Sequence, residues 1–313
     1  MKIVKYSWWF YVFPSMIGEF AALGAALCWT FSAVFYKRAL ASTPPVSANT
    51  VRCLGTSLAL TTFLAVARKI GVLIELPTQT LFLACTSGVI GLGLGDTLYM
   101  LSLKTIGVSR AVPLTCTYPL FNLIWAYFLA GETITPPVVA GAATIVLGIW
   151  LLTNEKTEKA ANKLLRKHRA MGVGFALSTA MAWSLSISMI NLAVKNALSL
   201  EQAYAVNTVR LVAVAILLFA YSSTSRMKLS ALKVGWKNVA LLLSGGLIAI
   251  GLGWFFLTFS FLLIPESQAV PISSTTPLFS TLASVVLLHE KVTAKICLGS
   301  VMVVAGIFMI FMA

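Results

Sequence analysis

Ser109-Arg110-Ala111-Val112-Pro113-Leu114-Thr115-Cys116-Thr117-Tyr118-Pro119-Leu120-Phe121-Asn122 is matched by Ser267-Gln268-Ala269-Val270-Pro271-Ile272-Ser273-Ser274-Thr275-Thr276-Pro277-Leu278-Phe279-Ser280. The offset is 158 throughout, and 8 of the 14 residues are identical. Each copy lies in an apolar run and holds two prolines six residues apart. Proline removes a backbone donor and clashes with the preceding turn, so it kinks or breaks a helix. Inside a bilayer such a break survives only where protein or trapped water re-satisfies the freed carbonyls. The spacing therefore predicts two kinked, membrane-buried helices. Thr115, Thr117, Ser273, Thr275 and Thr276 lie near enough in sequence to serve those carbonyls.

The rest of the composition agrees with a membrane reading. Of 313 residues, 59% are hydrophobic and 10% charged, and the mean hydropathy is +0.92. Soluble domains carry about 25% charged residues. A bilayer is crossed by about 20 apolar residues, and ten such runs follow one another here, over about 18–36, 47–67, 80–103, 108–130, 135–152, 171–194, 203–222, 239–263, 267–289 and 294–312. The net charge of +14 sits in short loops between these runs, as topology signals do, so no nucleic-acid partner is expected. Cys28, Cys53, Cys85, Cys116 and Cys297 are scattered without C-x-x-C spacing, which excludes a zinc or disulfide framework and leaves small core residues.

The duplication extends well beyond the prolines. Asn49-Thr50-Val51-Arg52 returns as Asn207-Thr208-Val209-Arg210, and Gly93-Leu94-Gly95 as Gly251-Leu252-Gly253. Glu132 matches Glu290, Gly141 matches Gly299 and Gly148 matches Gly306, all at the same offset, while Gly18 and Trp29 match Gly172 and Trp183 at 154. This is an internal repeat. Each unit has five spans, an odd number, so the second unit must enter the membrane inverted. The predicted fold is an all-α integral membrane protein of ten transmembrane helices in two inverted five-helix repeats. Residues 18–153 form the first repeat, 171–313 the second, and 154–170 a basic connecting loop. Residues 1–17 are aromatic, with Lys2 and Lys5, and lack a small-residue cleavage site, so they are predicted to lie at the membrane interface.

A unit with G-x(10)-W in its first span, Arg early in its second, A-V-P-x(5)-P-L-F in its fourth and Glu before a Gly-spaced fifth resembles the EamA-type permeases of the drug/metabolite transporter superfamily. The resemblance covers about residues 18–312. It implies ten helices around a central cavity and alternating-access transport of small metabolites, often outward. Family members often carry Gly and Asn soon after the first-span Trp, where this chain has Trp29-Thr30-Phe31-Ser32 and Trp183-Ser184-Leu185-Ser186.

Asp96 is the one acid well inside a predicted span, opposite Trp254 in the repeat. A charge at mid-bilayer costs at least about 2.5–3.5 kcal/mol and usually faces a polar interior. If transport is proton-coupled, Asp96 is the expected proton carrier. The predicted substrate cavity comprises Trp29, Ser32, Asp96, Tyr99, Tyr118, Asn122, Trp183, Ser186, Asn191 and Thr276, a few polar groups within an apolar wall. Pro113, Pro119, Pro271 and Pro277 are the predicted hinges. Arg52 and Arg210 are read as structural, snorkelling toward helix ends. Glu132 and Glu290, each beside the N-terminus of a fifth span, are read as structural too.

Two function classes compete. The first is a secondary transporter of a small metabolite, such as an amino acid or a related amphipathic compound, with export as the expected direction. The second is an intramembrane enzyme acting on lipid or peptide, which would need a Ser-His or Cys-His constellation, H-E-x-x-H or paired carboxylates in the spans. None occurs, nor does a G-x(4)-G-K-[ST] nucleotide loop. No catalytic residue, cofactor or metal is expected. The expected partners are a small-molecule substrate and the lipid bilayer of the cell membrane, with the chain a monomer or homodimer. Loops opposite the termini hold 16 bases against five, which places the connecting loop in the cytoplasm. The resemblance implies cytoplasmic termini, the opposite orientation.

Overall fold

Proline starts much of this fold. Pro45 occupies the first turn of α2 (Pro45–Val66), Pro77 precedes α4 (Thr78–Ser87), and Pro265 precedes α12 (Glu266–Ser273). At such a position the missing N–H would have had no partner and the fixed φ suits the helix. The computed structural model describes residues 7–106, 111, 114–153, 163–195, 199–224, 234–279 and 294–312. Among these, the first half also contains α1 (Ser7–Ala39), α3 (Gly71–Glu75), α5 (Asp96–Ile106), α6 (Tyr118–Phe128) and α7 (Pro136–Thr153). The second half contains α8 (Lys163–Lys195), α9 (Leu200–Thr224), α10 (Trp236–Gly246), α11 (Trp254–Ser260) and α13 (Ala294–Phe311). Two π-helical stretches, Gly88–Gly95 and Leu247–Gly253, join α4 to α5 and α10 to α11.

The fold is all-α and mostly membrane-spanning. Met16–Tyr36, Thr78–Ile106, His168–Lys195, Leu200–Ser222 and Trp236–Ser260 are long and apolar enough to cross a bilayer, and Pro136–Leu151 and Leu298–Ile310 are shorter apolar helices. Large side chains such as Leu58, Phe82, Ile216 and Val301 stand exposed on the helix surfaces. Water would penalise so much contiguous apolar surface, whereas lipid accepts it.

Contacts run crosswise between the halves. α1 packs on α10, the second π stretch and α11, while α8 packs on α4, the first π stretch and α5. α2 meets α9 and α10, α9 meets α4, and α7 pairs with α13. The α7–α13 contact is made of backbone on glycine. A Cβ at Gly141 would come within 2.8 Å of the Gly306 carbonyl, and one at Gly148 within 2.8 Å of the Gly299 carbonyl. Small residues permit this approach, which lets van der Waals packing replace the missing hydrophobic drive in lipid.

The proline segments break as their sequence requires. Leu114 and Thr115 are helical, Cys116 and Thr117 form a turn, and α6 begins at Tyr118. In the second copy α12 ends at Ser273, Ser274 and Thr275 form the turn, and the helix resumes over residues 276–279. Pro119 and Pro277 thus stand in the first turn after each break, and Pro271 lies inside α12. Pro113, Glu290, residues 280–289 of the ninth expected span and residues 154–162 of the connecting loop lie outside the described residues. Two boundaries differ from the sequence reading. α1 runs unbroken from Ser7 through Pro14 into the first span, and α8 begins at Lys163, inside the expected basic loop.

Candidate functional site

The repeated Asn-Thr-Val-Arg motif and the repeated glycine stretch meet. A π turn holds one residue more than an α turn and displaces carbonyls from the ladder. Asn49 Nδ2 donates to one of these, the Leu92 oxygen, at 2.8 Å, and to Thr97 Oγ1 at 3.1 Å. In the second half Asn207 Nδ2 donates to the Ile250 oxygen at 2.9 Å. The residue after each π stretch, Asp96 or Trp254, is thereby held opposite the arginine of its own half.

Arg52 Nη2 donates to Asp96 Oδ2 and to Asn49 Oδ1, each at 2.5 Å, and its guanidinium lies 4.9 Å from the centre of the Tyr36 ring. Trp183 Nε1 donates to the other carboxylate oxygen, Asp96 Oδ1, at 2.8 Å. Arg52 is only 3% exposed and Asp96 7%. Buried charges persist when paired and hydrogen-bonded, and this pair satisfies both carboxylate oxygens. Arg52 therefore does not snorkel to a helix end. Arg210 does not either: it is fully buried, donates from Nη2 to Ser186 Oγ at 2.8 Å, and lies 3.6 Å from the centre of the Trp254 ring.

Two tryptophans cross between halves. Trp183 lies against Gly95, and Trp29 against Gly253; a Cβ at either glycine would come within 2.8 Å of the indole. Tyr99 stands 5.1 Å from Trp183, and Tyr118 meets it edge-on at 6.1 Å, so Asp96, Tyr99, Tyr118 and Trp183 form one cluster. Trp29 packs edge-on against Trp254 at 5.7 Å and donates to the Ala249 oxygen at 3.1 Å. Ser186 joins Arg210 and exchanges hydrogen bonds with Ser87, each hydroxyl donating to the other's carbonyl at 2.7 Å. Ser32 is apart from these groups, its hydroxyl turned back to the Trp29 oxygen at 2.9 Å.

The broken proline segments reach the same interior. Thr117 Oγ1 donates to the Leu114 oxygen at 2.6 Å, Ser273 Oγ to Val270 at 2.9 Å and Thr275 Oγ1 to Ile272 at 2.8 Å. Hydroxyls thus serve carbonyls at the breaks. Thr276 Oγ1 donates to the Ala26 oxygen of α1 at 3.3 Å, and Thr30 Oγ1 returns a bond to the Thr276 oxygen at 3.2 Å. Tyr118 and Ser273 hydroxyls link the two segments at 3.4 Å.

Asn122 and Asn191 converge on an acid that the sequence reading left outside the spans. Glu266 is fully buried and accepts from Asn122 Nδ2 at 3.0 Å, from Asn191 Nδ2 at 2.5 Å and from the Ser188 hydroxyl. It follows Pro265 in the first turn of α12, where an acid ordinarily serves the helix dipole, and that hides it from hydropathy. Glu132, expected beside its own fifth span, instead caps α12. Gly131, at φ +67°, turns the chain after α6 so that Glu132 accepts the Glu266 N–H at 3.0 Å and the Ser267 N–H at 3.1 Å. Lys195 Nζ lies 3.6 Å from the same carboxylate.

A cavity of about 320 Å³ opens between α2 and α9, lined by Phe63, Leu64, Ala67, Leu200, Tyr204 and Phe255, with Lys69 and Glu201 also on its wall. These last two pair at 3.1 Å.

The chain has counterparts in sequence and in overall fold. An uncharacterized transporter from Archaeoglobus fulgidus is 25% identical over 304 residues, covering 95% of this chain and 96% of that one. A solved crystal structure of a protein shares the fold with a TM-score of 0.73 at 19% identity, covering 93% of this chain and 95% of that one. The EamA-like transporter family matches twice, over residues 16–154 and 170–312. Nearly the whole chain is covered by those two matches, which fall on the two halves of the duplication, and the protein belongs to the EamA-like transporter family: it is a multi-pass membrane transporter and not an enzyme.

Proposed function

We propose that the protein exports a small amphipathic metabolite, an amino acid or a related compound, across the cell membrane by proton-coupled alternating access. The observation that carries this reading is Asp96, buried among apolar helices and shared between Arg52 of α2 and Trp183 of α8. A proton on Asp96 cancels its attraction for Arg52 within the first half and weakens the hold of the carboxylate on Trp183, the contact that crosses to the second half. Substrate bound at the cluster of Tyr99, Tyr118 and Trp183 competes for the same contacts, which couples the two ligands as differential affinity requires. The breaks before Pro119 and Pro277 are the hinges on which the halves rock.

The architecture behind this reading is ten crossings in two interlocked five-helix units, related by a pseudo-two-fold axis in the membrane plane. The glycine contacts support it. Gly141 corresponds to Gly299 and Gly148 to Gly306, yet Gly141 meets Gly306 and Gly148 meets Gly299. Such reciprocal pairing is the mark of a two-fold contact between antiparallel equivalents.

Purified protein in proteoliposomes, offered a panel of radiolabelled amino acids and related compounds under an imposed pH gradient, tests the reading. Gradient-driven accumulation of a panel member is expected. Accumulation indifferent to the gradient removes the proton, and a panel that does not move removes the substrate class.

A further inference from the structure

Asp96 has no equivalent acid in the second half, and one buried acid of the second half has none in the first: Glu266 corresponds to Val108. Asp96 is paired with Arg52. Among the described residues no cation lies within ion-pair distance of Glu266, although it is fully buried. Three neutral donors hold it instead, Asn122 Nδ2 and the Ser188 hydroxyl on Oε1 and Asn191 Nδ2 on Oε2. A buried ion without a counter-charge is costly, and such bonds are what keep it tolerable. The start of α12 also favours a negative charge.

These donors converge in one arrangement only. Asn122 stands on α6 of the first half, whereas Ser188 and Asn191 stand on α8 and Glu266 on α12 of the second. When α6 parts from α8 the carboxylate loses at least one of its holds, and a proton then removes the charge that needed them. The cluster has somewhere to direct that proton. Oδ1 of Asn122 and Oδ1 of Asn191 are buried and, among the described residues, have no partner. A half-turn of either amide presents this oxygen to an O–H on Glu266. In the arrangement described, the same O–H would instead be a fourth donor among three.

Solvent is near. Half-exposed Lys195, in the last turn of α8, pairs with Glu132, and Glu132 accepts the Glu266 N–H. The field of Glu132 acts on Glu266 with like sign. Other ionisable groups come from the elements packed on α12. α1 brings Glu19, next to Gly18, which abuts Leu263 and Ile264. α6 brings Tyr118, whose hydroxyl meets Ser273, and exposed Tyr127. Lys295 and Cys297 begin α13, while α7 and α11 have none.

We propose that Glu266 is a proton-binding site separate from Asp96, ionised in the conformation described and protonated from water as α6 and α8 part. Acid therefore favours the parted state, because a ligand shifts an equilibrium toward the form that binds it better. This goes beyond the transporter reading, and its readouts need no substrate.

Infrared spectroscopy and hydrogen–deuterium exchange of the purified full chain, at alkaline and at mildly acidic pH, test it. Acid is expected to raise a carboxylic-acid C=O band that Asp96→Asn keeps and Glu266→Gln lacks. With the intrinsic effect of pH divided out, acid should speed exchange of the α12 amides roughly tenfold or more, the worth of one hydrogen bond to a charged group. Glu266→Gln, which carries a donor where the protonated acid has its O–H, should exchange fast at both pH values. Asn191→Leu removes one hold on the ion and should exchange fast at alkaline pH, which keeps the proposal testable if Glu266→Gln does not fold. A band that persists in Glu266→Gln, or no band at all, overturns the proposal, as does slow alkaline exchange in Asn191→Leu. Acid-dependent exchange that survives in Glu266→Gln overturns it too and assigns the titration to Glu132 or Glu19. Exchange speeded by sodium at constant pH, and not in Glu266→Gln, overturns the proton in favour of a metal ion.

Discussion

Glu132, just past Gly131 in the connection that follows α6, holds the backbone N–H of Glu266, the first residue of α12, at 3.0 Å. One carboxylate thus ties the broken fourth span of the first half to the start of its repeat in the second. It also neutralises two of the N–H groups that every helix leaves open at its start.

Glu132→Ala should therefore destabilise the protein by about 1–3 kcal/mol, the usual cost of losing charged hydrogen bonds to a helix N-terminus. Lys195→Ala, which removes only a half-exposed ion-pair partner, should cost about 0–1 kcal/mol. Melting temperatures in detergent compare the two. Equal losses would mean that the ion pair, and not the cap, holds α12.

Asp96→Asn should leave the protein folded and uncouple transport from the pH gradient. Trp183→Phe removes one of the two ties on Asp96 but keeps the Arg52 pair, so it should alter substrate affinity while coupling survives. Proteoliposome uptake with and without a pH gradient reads both. Gradient-driven accumulation by Asp96→Asn would return that residue to a purely structural role.

The sequence makes the proline breaks, the duplication and Asp96 legible because each depends on local chemistry: a missing N–H, a repeated spacing, a charge in an apolar run. The partners of these residues were not legible. Arg52 reads as a snorkelling side chain because it stands early in its span, yet the crossing of α2 with α5 buries it beside Asp96. Glu266 reads as a helix-end acid because Pro265 precedes it, yet α6 and α8 close over it with Asn122, Ser188 and Asn191. Asn49 and Asn207 were visible as a repeated motif, but their role depends on π turns that glycine spacing alone does not announce. Trp254 is the clearest sign of asymmetry, and its meaning emerges only when Arg210 is found over its ring.

Pro119→Ala combined with Pro277→Ala should restore donors in both resumed helices and stiffen the breaks. Transport rate should fall while substrate binding and thermal stability are kept. Full activity in the double variant would make the breaks static packing features.

Gly148→Leu should destabilise the protein by about 1–3 kcal/mol, the common cost of overpacking. Its Cβ would come within 2.8 Å of both the Gly299 carbonyl and Val303. Gly174→Ala, where a Cβ would meet nothing within 4 Å, should be neutral or slightly stabilising. Thermal melts of the two variants side by side check the contrast. A benign Gly148→Leu would mean that α7 and α13 separate easily.

The α7–α13 pairing also sets an order of events during biosynthesis. α7 is translated and inserted before any helix of the second half exists, and its glycine face then has only lipid against it. Lipid chains fill such a shallow groove less closely than another helix backbone does. By the time α9 is inserted, Arg52, Asp96, Trp183 and Arg210 are all in the membrane, but the two halves are not yet fastened along this seam. The last fastening waits for α13, more than a hundred residues after α7 begins. A nascent chain stalled before residue 294 would hold the whole charged cluster in an unlatched bundle, the state in which membrane quality control would meet it.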